Sequence, residues 1–156
     1  MQHPIVIRKA TIKDVPDIVL LLADDILGST RESRVGAIAE SYYRAFHAIE
    51  HDPNQQLVVA ECAGKTVGTL QMTYLFNMSF QGARRAMIEG VHVTPQSRNQ
   101  GVGQHMMEWA IAQAKQNGCW FVQLTSHKQR GNAHRFYERL GFIASHKGFK
   151  LALEAS

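Results

Sequence analysis

The sequence predicts a mixed α/β protein in which helices cover both faces of a mostly antiparallel central sheet. Residues 57–76 read LVVAEC, AGKT and VGTLQMTYLF, which is typical of two antiparallel strands joined by a tight turn. Residues 86–125 predict a strand, a helix and a second strand, and such a unit favours a parallel pair. Other stretches place apolar residues every three or four positions, as helices that cover a sheet do. We therefore expect one domain over residues 1–156, a length sufficient for a substantial core.

The predicted elements follow the order β α α β β β α β α β β. The strands are predicted in IVIRKA, in residues 57–62, 67–76 and 85–93, in WFVQLT as a buried strand, and in a closing hairpin of FIAS, HKG and FKLAL. The helices are predicted over residues 14–27, 34–50, 102–116 and 131–140. Thr11 and Asp14 have the spacing of an N-terminal cap, and Gly28 and Gly141 are predicted helix ends. The third helix is expected to bury the face formed by Val102, Met106, Ala110, Ile111 and Ala114.

Composition and charge exclude several classes of protein. The hydrophobic fraction of 45% and the charged fraction of 19% are those of an ordinary globular protein. The longest apolar run, residues 18–23, is far shorter than the roughly 20 residues that a membrane span needs, and the N-terminus lacks a signal-peptide pattern. We therefore expect a cytoplasmic protein without a membrane partner. The net charge is +4, but basic residues cluster only in residues 127–135, so we expect no nucleic-acid partner.

Cysteine and histidine spacing predicts no metal site. Cys62 and Cys119 lie among apolar residues and lack CxxC spacing, so buried thiols are favoured over a disulfide or a metal site. His92, His127 and His134 match no common ligand pattern either. We expect no metal.

The stretch SRNQGVGQ, residues 97–104, is the strongest candidate for a binding site. Glycines between a strand and a helix can simply supply unusual backbone angles. Here, however, Thr94-Pro95 ends the strand abruptly and a helix follows at once, so free backbone N–H groups and the positive end of the helix dipole meet at one place. The spacing fits neither a Walker loop nor the G-x-G-x-x-G dinucleotide fingerprint, because Met106 occupies the third glycine position. An anion of another kind is therefore predicted.

Two motifs in this order resemble those of the GNAT superfamily of acetyl-CoA-dependent N-acetyltransferases. The first comprises Val93-Thr94-Pro95, Arg98, Gly101, Val102 and Gly103. The second is AHRFYERLGF, residues 133–142, which resembles the A-x-x-[FL]-Y-x-x-x-G-F signature of that family. The predicted order of elements matches as well, so the resemblance covers nearly the entire chain and implies the GNAT fold.

The resemblance implies acetyl-CoA as cosubstrate and assigns residues to it. The pyrophosphate would be held by backbone amides and by the charge of Arg98. The amides belong to Asn99, Gln100, Gly101, Val102, Gly103 and Gln104. The pantetheine arm would pair with the end of the strand at Val91, His92 and Val93, where an amide could also polarise the thioester carbonyl. Many members carry an asparagine seven residues before the signature tyrosine. Arg130 stands there in this chain, so the contact passes to Asn132, or Arg130 and Lys128 reach a phosphate instead.

The implied reaction is direct attack of a neutral amine on the thioester, for which two residues are candidates. Glu89 is the predicted base, directly or through water, because an amine of pKa near 10.4 is mostly protonated at pH 7. A solvated position or a salt bridge to Arg84 or Arg85 is the alternative for this glutamate. Tyr137 is the predicted acid that protonates the departing thiolate, with a place in the core as its alternative.

The acceptor is expected to be the primary amine of a small molecule. The loops GSTRES and NMSFQGARR would select it. NAHRFY resembles the corresponding segment of aminoalkylphosphonate acetyltransferases, whereas the E-G-x-x-V strand is similar to that of aminoglycoside acetyltransferases. A protein N-terminus or lysine as acceptor, and a non-catalytic acetyl-CoA sensor, remain open. A homodimer is the oligomer that we would expect.

Overall fold

The computed structural model describes residues 3–24 and 36–154. The strands are β1 Ile5–Lys9, β2 Gln55–Cys62, β3 Lys65–Leu75, β4 Arg84–Val93 and β5 Cys119–Leu124. The α-helices are α1 Val15–Ala23, α2 Glu40–Glu50, α3 Val102–Gln116 and α4 Gly131–Arg139. Short helical turns occur at Ile12–Asp14, Ser79–Gly82 and Pro95–Ser97. The order of these strands and α-helices is the predicted one as far as the fourth helix.

The five strands form one sheet in the order β1-β2-β3-β4-β5. The pairs β1–β2, β2–β3 and β3–β4 are antiparallel, which confirms the mixed α/β class with a mostly antiparallel sheet. The contacts divide the chain into two compact units, residues 1–123 and 124–156. The first unit holds β1 to β4, α1 to α3 and most of β5, and the second holds α4 and the residues after it.

Helices cover both faces of the sheet in the first unit. On one face α3 buries Val102, Met106, Met107, Ala110 and Ala114, so four of the five predicted core positions are buried and Ile111 is half-buried. Gly68 of β3 lies under this helix, since a Cβ atom there would be 2.6 Å from the Met106 sulfur. On the other face α1 and α2 form a cluster with the strands that contains Ala10, Val15, Ile18, Val19, Phe46 and Val59.

The N-terminal cap of the first helical segment forms as predicted. The backbone N–H of Thr11 donates to Oδ2 of Asp14 at 2.7 Å, and the N–H of Asp14 donates to the carbonyl of Thr11 at 2.9 Å. The buried Asp14 also accepts two hydrogen bonds from the guanidinium of Arg8, at 2.8 and 2.9 Å. This ion pair ties β1 to the start of α1.

Two predicted boundaries and the burial of one predicted strand differ from the structure. Helix α1 ends at Ala23, and the predicted stop at Gly28 lies outside the described residues. Helix α2 begins at Glu40 instead of residue 34, because residues 36–39 are not helical and Gly36 has a φ of 79°. The predicted buried strand WFVQLT is largely exposed at Trp120, which is 60% accessible.

The predicted C-terminal hairpin is wrong, because residues 143–154 form no strand. Its large apolar side chains are at least 84% exposed: Ile143, Phe149, Leu151 and Leu153. An alternating apolar pattern in the sequence does not by itself provide a neighbouring strand to pair with. Because these apolar side chains are not buried, little offsets the entropy that is lost when a strand becomes ordered.

Candidate functional site

The segment between β4 and α3 has the backbone geometry of an anion-binding loop. After the turn Pro95–Ser97, Asn99 and Gly101 adopt left-handed conformations with φ of 59° and 82°. Helix α3 then begins at Val102, and its first backbone hydrogen bond runs from the N–H of His105 to the carbonyl of Gly101. Turns that contain left-handed residues bring successive N–H groups into a concave arrangement, which suits an anion.

The backbone N–H groups of residues 99–104 have no hydrogen-bond acceptor in the described part of the chain. They therefore remain available to a ligand at the positive end of the α3 dipole. The neighbouring side chains are held locally: Nε of Arg98 donates to the carbonyl of Val93 at 3.2 Å, and Nε2 of Gln100 to that of Gln96 at 2.8 Å. Nε2 of Gln104 donates to Glu108 at 2.9 Å. The loop thus fits a phosphate group through its backbone.

A β-bulge separates the predicted base from the predicted cofactor residues of β4. Thr69 of β3 pairs with His92, whereas Gln71 pairs with Glu89, so Gly90 and Val91 together oppose one residue of β3. Gly90 has a φ of 62°. Bulges next to a site redirect side chains and interrupt regular pairing. An isolated glycine within a predicted strand is the sequence signal for this bulge.

Glu89 lies on β4 with an exposed side chain. It forms no ion pair with Arg84 or Arg85, so the salt-bridge alternative has no support among the described residues. Its cross-strand neighbour Gln71 instead donates from Nε2 to Oε1 of Gln55 at 2.8 Å. The carboxylate of Glu89 is therefore accessible from solvent.

Tyr137 lies on α4 in the second unit and is half-buried. Its ring contacts those of Phe136 and Phe142, with centroids 5.2 and 6.0 Å away. Burial raises the pKa of the phenol, and the positive charge of Arg130 acts in the opposite direction. The phenol is therefore neutral at physiological pH and retains a proton that it can donate.

The residues predicted to contact the cofactor in place of the usual asparagine lie just before α4 and in its first turn. Asn132 is exposed, and its Oδ1 accepts a hydrogen bond from Arg135. Lys128 is also exposed, whereas Arg130 directly precedes the helix and is half-buried. His134 contacts the carbonyl of His127 at 2.9 Å through Nε2. Oδ1 of Asn132 is therefore already engaged within α4.

Other site types find no support within residues 3–24 and 36–154. No group of three or more histidine, cysteine, aspartate or glutamate residues there could hold a metal ion. No helix in the same ranges is long and apolar enough to cross a membrane. Cys62 and Cys119 are free thiols, half-buried instead of fully buried as predicted.

The family model of the acetyltransferase (GNAT) family matches residues 23–142, which include the loop, Glu89 and Tyr137. This chain is a member of the GNAT family. An aminoalkylphosphonate N-acetyltransferase of Salmonella typhimurium strain LT2 is 32% identical over 114 residues, 73% of each protein.

Solved structures share this fold. A transcriptional regulator from Bacillus halodurans C-125 superposes with a TM-score of 0.93 at 45% identity, over 96% of this chain and 100% of its own. A Clostridium acetobutylicum structure solved with acetyl-CoA has a TM-score of 0.74 at 19% identity, over 96% of both chains. The latter likeness concerns the fold alone.

Proposed function

We propose that this GNAT protein transfers the acetyl group of acetyl-CoA to the primary amine of a small molecule by direct attack. The observation that carries the proposal is the row of backbone N–H groups in residues 99–104, which have no acceptor of their own and stand at the start of α3. GNAT acetyltransferases use acetyl-CoA. Within the same proposal the chain is a single GNAT domain, located in the cytoplasm and dimeric.

The cofactor residues have distinct roles in this proposal. The amides of residues 99–104 bind the pyrophosphate, and Arg98 adds positive charge. Val91, His92 and Val93, beyond the bulge, pair with the pantetheine arm, and Asn132 supplies a further contact from α4. Acetyl-CoA brings the acetyl group as an activated thioester.

Two side chains move the protons. Glu89 accepts a proton from the acceptor ammonium, directly or through water, so that the neutral amine forms the new C–N bond; the nitrogen then releases a second proton, which restores through solvent the one that Tyr137 gives up. The C–S bond breaks, and Tyr137 donates its proton to the thiolate that leaves as coenzyme A. Because burial raises the pKa of Tyr137, the phenol is protonated before each turnover and depends on a direct hydrogen bond for the transfer.

The Salmonella relative indicates which acceptors to test first. It is named for aminoalkylphosphonates, and the resemblance of NAHRFY points to the same class. A thiol-release assay with acetyl-CoA should show acceleration by at least one of five amine classes: aminophosphonates, aminoglycosides, polyamines, amino acids and peptide N-termini. Acceleration by peptides alone would move the proposal to a protein acetyltransferase.

A second candidate function follows from the Bacillus halodurans relative, which is named a transcriptional regulator. A module that binds acetyl-CoA and signals through a partner needs the loop but neither Glu89 nor Tyr137. Saturable acetyl-CoA binding with no thiol release in the presence of any of the five classes would favour this function.

A further inference from the structure

We infer that Arg85 binds the anionic end of the acceptor and makes the protein selective for amines that carry a phosphonate, phosphate or carboxylate group. This inference rests on the proposed acetyl transfer. The relevant surface is the face of β4 that carries Glu89. Side chains alternate along a strand, and Ala86 and Ile88 are buried at 0% and 1% exposure against the face covered by α3. Arg85 therefore shares the opposite face with Glu89.

The alternation is continuous between these two residues. Across the β3–β4 pair, Leu75 opposes Arg85 and Gln71 opposes Glu89, and the register shift begins only beyond Gln71. The strip between them is uncharged. Met87 lies midway, opposite Thr73, and its sulfur is 3.7 Å from Nε2 of Gln123 on β5. β3 and β4 contain no acidic residue other than Glu89, so nothing on these two strands competes for the guanidinium.

Arg85 has no partner in the described part of the chain. Its Nε is buried and donates to no acceptor there, and the guanidinium forms no ion pair with another described residue. A buried donor without a partner is unfavourable, so an anionic ligand that meets this group gains a strong, charge-assisted interaction.

The adjacent Arg84 shows what a structural arginine looks like in this fold. Its terminal nitrogens donate to the carbonyl of Asn117 at 3.3 Å and to Oδ1 of Asn54 at 2.9 Å. Its guanidinium also lies over the rings of Tyr74 and Phe76, at 4.7 and 4.9 Å. The buried Nε of Arg84 likewise donates to no acceptor, but its terminal nitrogens join the start of β2 to the end of α3, whereas no described residue engages the terminal nitrogens of Arg85.

The spacing sets the size of the acceptor. Because Arg85 and Glu89 are four residues apart on one strand, their Cα atoms lie about 13 Å apart. Both side chains extend into this distance, so a ligand has to bridge less than that. A short chain with an amine at one end and an oxyanion at the other would place the amine at Glu89. The planar guanidinium fork suits the paired oxygens of a phosphonate or a carboxylate.

The test compares acceptors that differ in their anionic end: 2-aminoethylphosphonate, β-alanine and the neutral n-propylamine. For Arg85→Gln we expect KM for the two anionic amines to rise about 10- to 100-fold, the effect of one lost charge-assisted hydrogen bond or pair. For n-propylamine, kcat and KM should change by less than about twofold, because this amine carries no anionic group that could contact Arg85. Arg85→Lys should recover part of the loss for both anionic amines, because an ammonium keeps the charge but lacks the fork. The exposed Arg44→Gln on α2 is the matched control for the loss of one positive charge.

The outcomes separate this inference from the proposed function. An equal loss for n-propylamine and the anionic amines would overturn it and make Arg85 a structural residue, and a melting temperature below that of Arg44→Gln would identify instability as the cause. If the wild type turns over no amine, the proposed function fails. Calorimetric titration of 2-aminoethylphosphonate into the protein saturated with coenzyme A then decides on Arg85: binding that Arg85→Gln abolishes supports the anion site, and no binding to the wild type refutes it.

Discussion

At the residue scale, Glu89→Gln tests the base through its dependence on the amine. Glutamine keeps the size of the side chain but cannot accept the proton, so kcat at pH 7 should fall about 100-fold, within the range of general base catalysis. The deficit should shrink as the pH approaches the acceptor pKa, near 10.4 for an alkyl amine, because a neutral amine needs no base. Steady-state pH profiles of both proteins measure this. A deficit that is constant with pH would assign Glu89 to binding.

Tyr137→Phe tests the acid while it preserves the aromatic packing against Phe136 and Phe142. We expect kcat to fall about 100-fold with little change in the KM for the acceptor. Because burial raises the pKa of the phenol, its proton is present below that pKa and lost only as the pH rises through it. The wild type should therefore show no alkaline loss from Tyr137 below about pH 10. An unchanged kcat at saturating acceptor would remove the tyrosine from the mechanism.

Asp14→Asn tests the contribution of the Arg8 pair to stability. The hydrogen-bonded guanidinium lowers the pKa of Asp14, so this stabilisation is fully present above the unfolded pKa, about 3.9, and is lost as the pH falls through the lower folded value. The variant should lose about 1–3 kcal/mol of unfolding free energy at pH 7. Urea denaturation should show the two proteins converging below about pH 4. A difference that persists undiminished at the lowest measurable pH would point to packing instead.

At the scale of elements, Gly68→Ala tests how closely α3 lies on β3. The added methyl group would stand 2.6 Å from the Met106 sulfur and 3.1 Å from the His92 carbonyl oxygen, so we expect a cost of about 1–3 kcal/mol from overpacking. Gly131→Ala at the start of α4 would place its methyl group 4.0 Å from Nη1 of Arg135, an ordinary contact, and is the control. In a Met106→Ala background the cost of Gly68→Ala should be smaller, and equal costs in both backgrounds would exclude the steric explanation. Urea denaturation of the four variants measures it.

The elements predicted best from the sequence are those whose apolar residues recur at a clear helical spacing and whose end is marked by a nearby residue such as glycine. Helix α3 has both, since its apolar spacing and the Asn117-Gly118 end are visible in the sequence. Met107 was missed because it lies beside the predicted stripe, on a flank that the sheet also covers. The start of α2 was missed because apolar spacing extends past Gly36, whose left-handed backbone breaks the helix.

The candidate site also contains features that local sequence motifs predict and features that they do not. The loop and both proton-transfer candidates came from local motifs, and the structure gives the loop the expected backbone geometry. The bulge at Gly90 and the lack of a partner for Arg85 among the described residues depend on how β4 pairs with β3, which lies earlier in the chain. Sequence periodicity within β4 alone contains no information about such partners.

At the scale of the whole molecule, acetyl-CoA should raise the melting temperature. At a concentration of 100 times Kd, binding to the native state alone adds about 2.7 kcal/mol, or roughly 5–10 °C for a chain of this size. Acetylated pantetheine, which lacks the pyrophosphate, should add much less at the same concentration because it leaves the N–H groups of residues 99–104 unused. Differential scanning calorimetry measures both ligands. Equal shifts would mean that the loop contributes little to binding.

The bulge in β4 also determines where the protein can lose a residue. Deleting a residue from a regular strand turns every following side chain to the opposite face. Deleting Gly90 would leave Val91 alone opposite β3, so Glu89 would keep Gln71 and His92 would keep Thr69 as partners. The strand thus carries one spare residue between the part proposed to face the acceptor and the part proposed to bind the cofactor. Deleting the residue at position 90 therefore leaves the side chains on both sides of the bulge on their original faces. Deleting Met87 or Ile88 would instead move the side chains that follow to the opposite face.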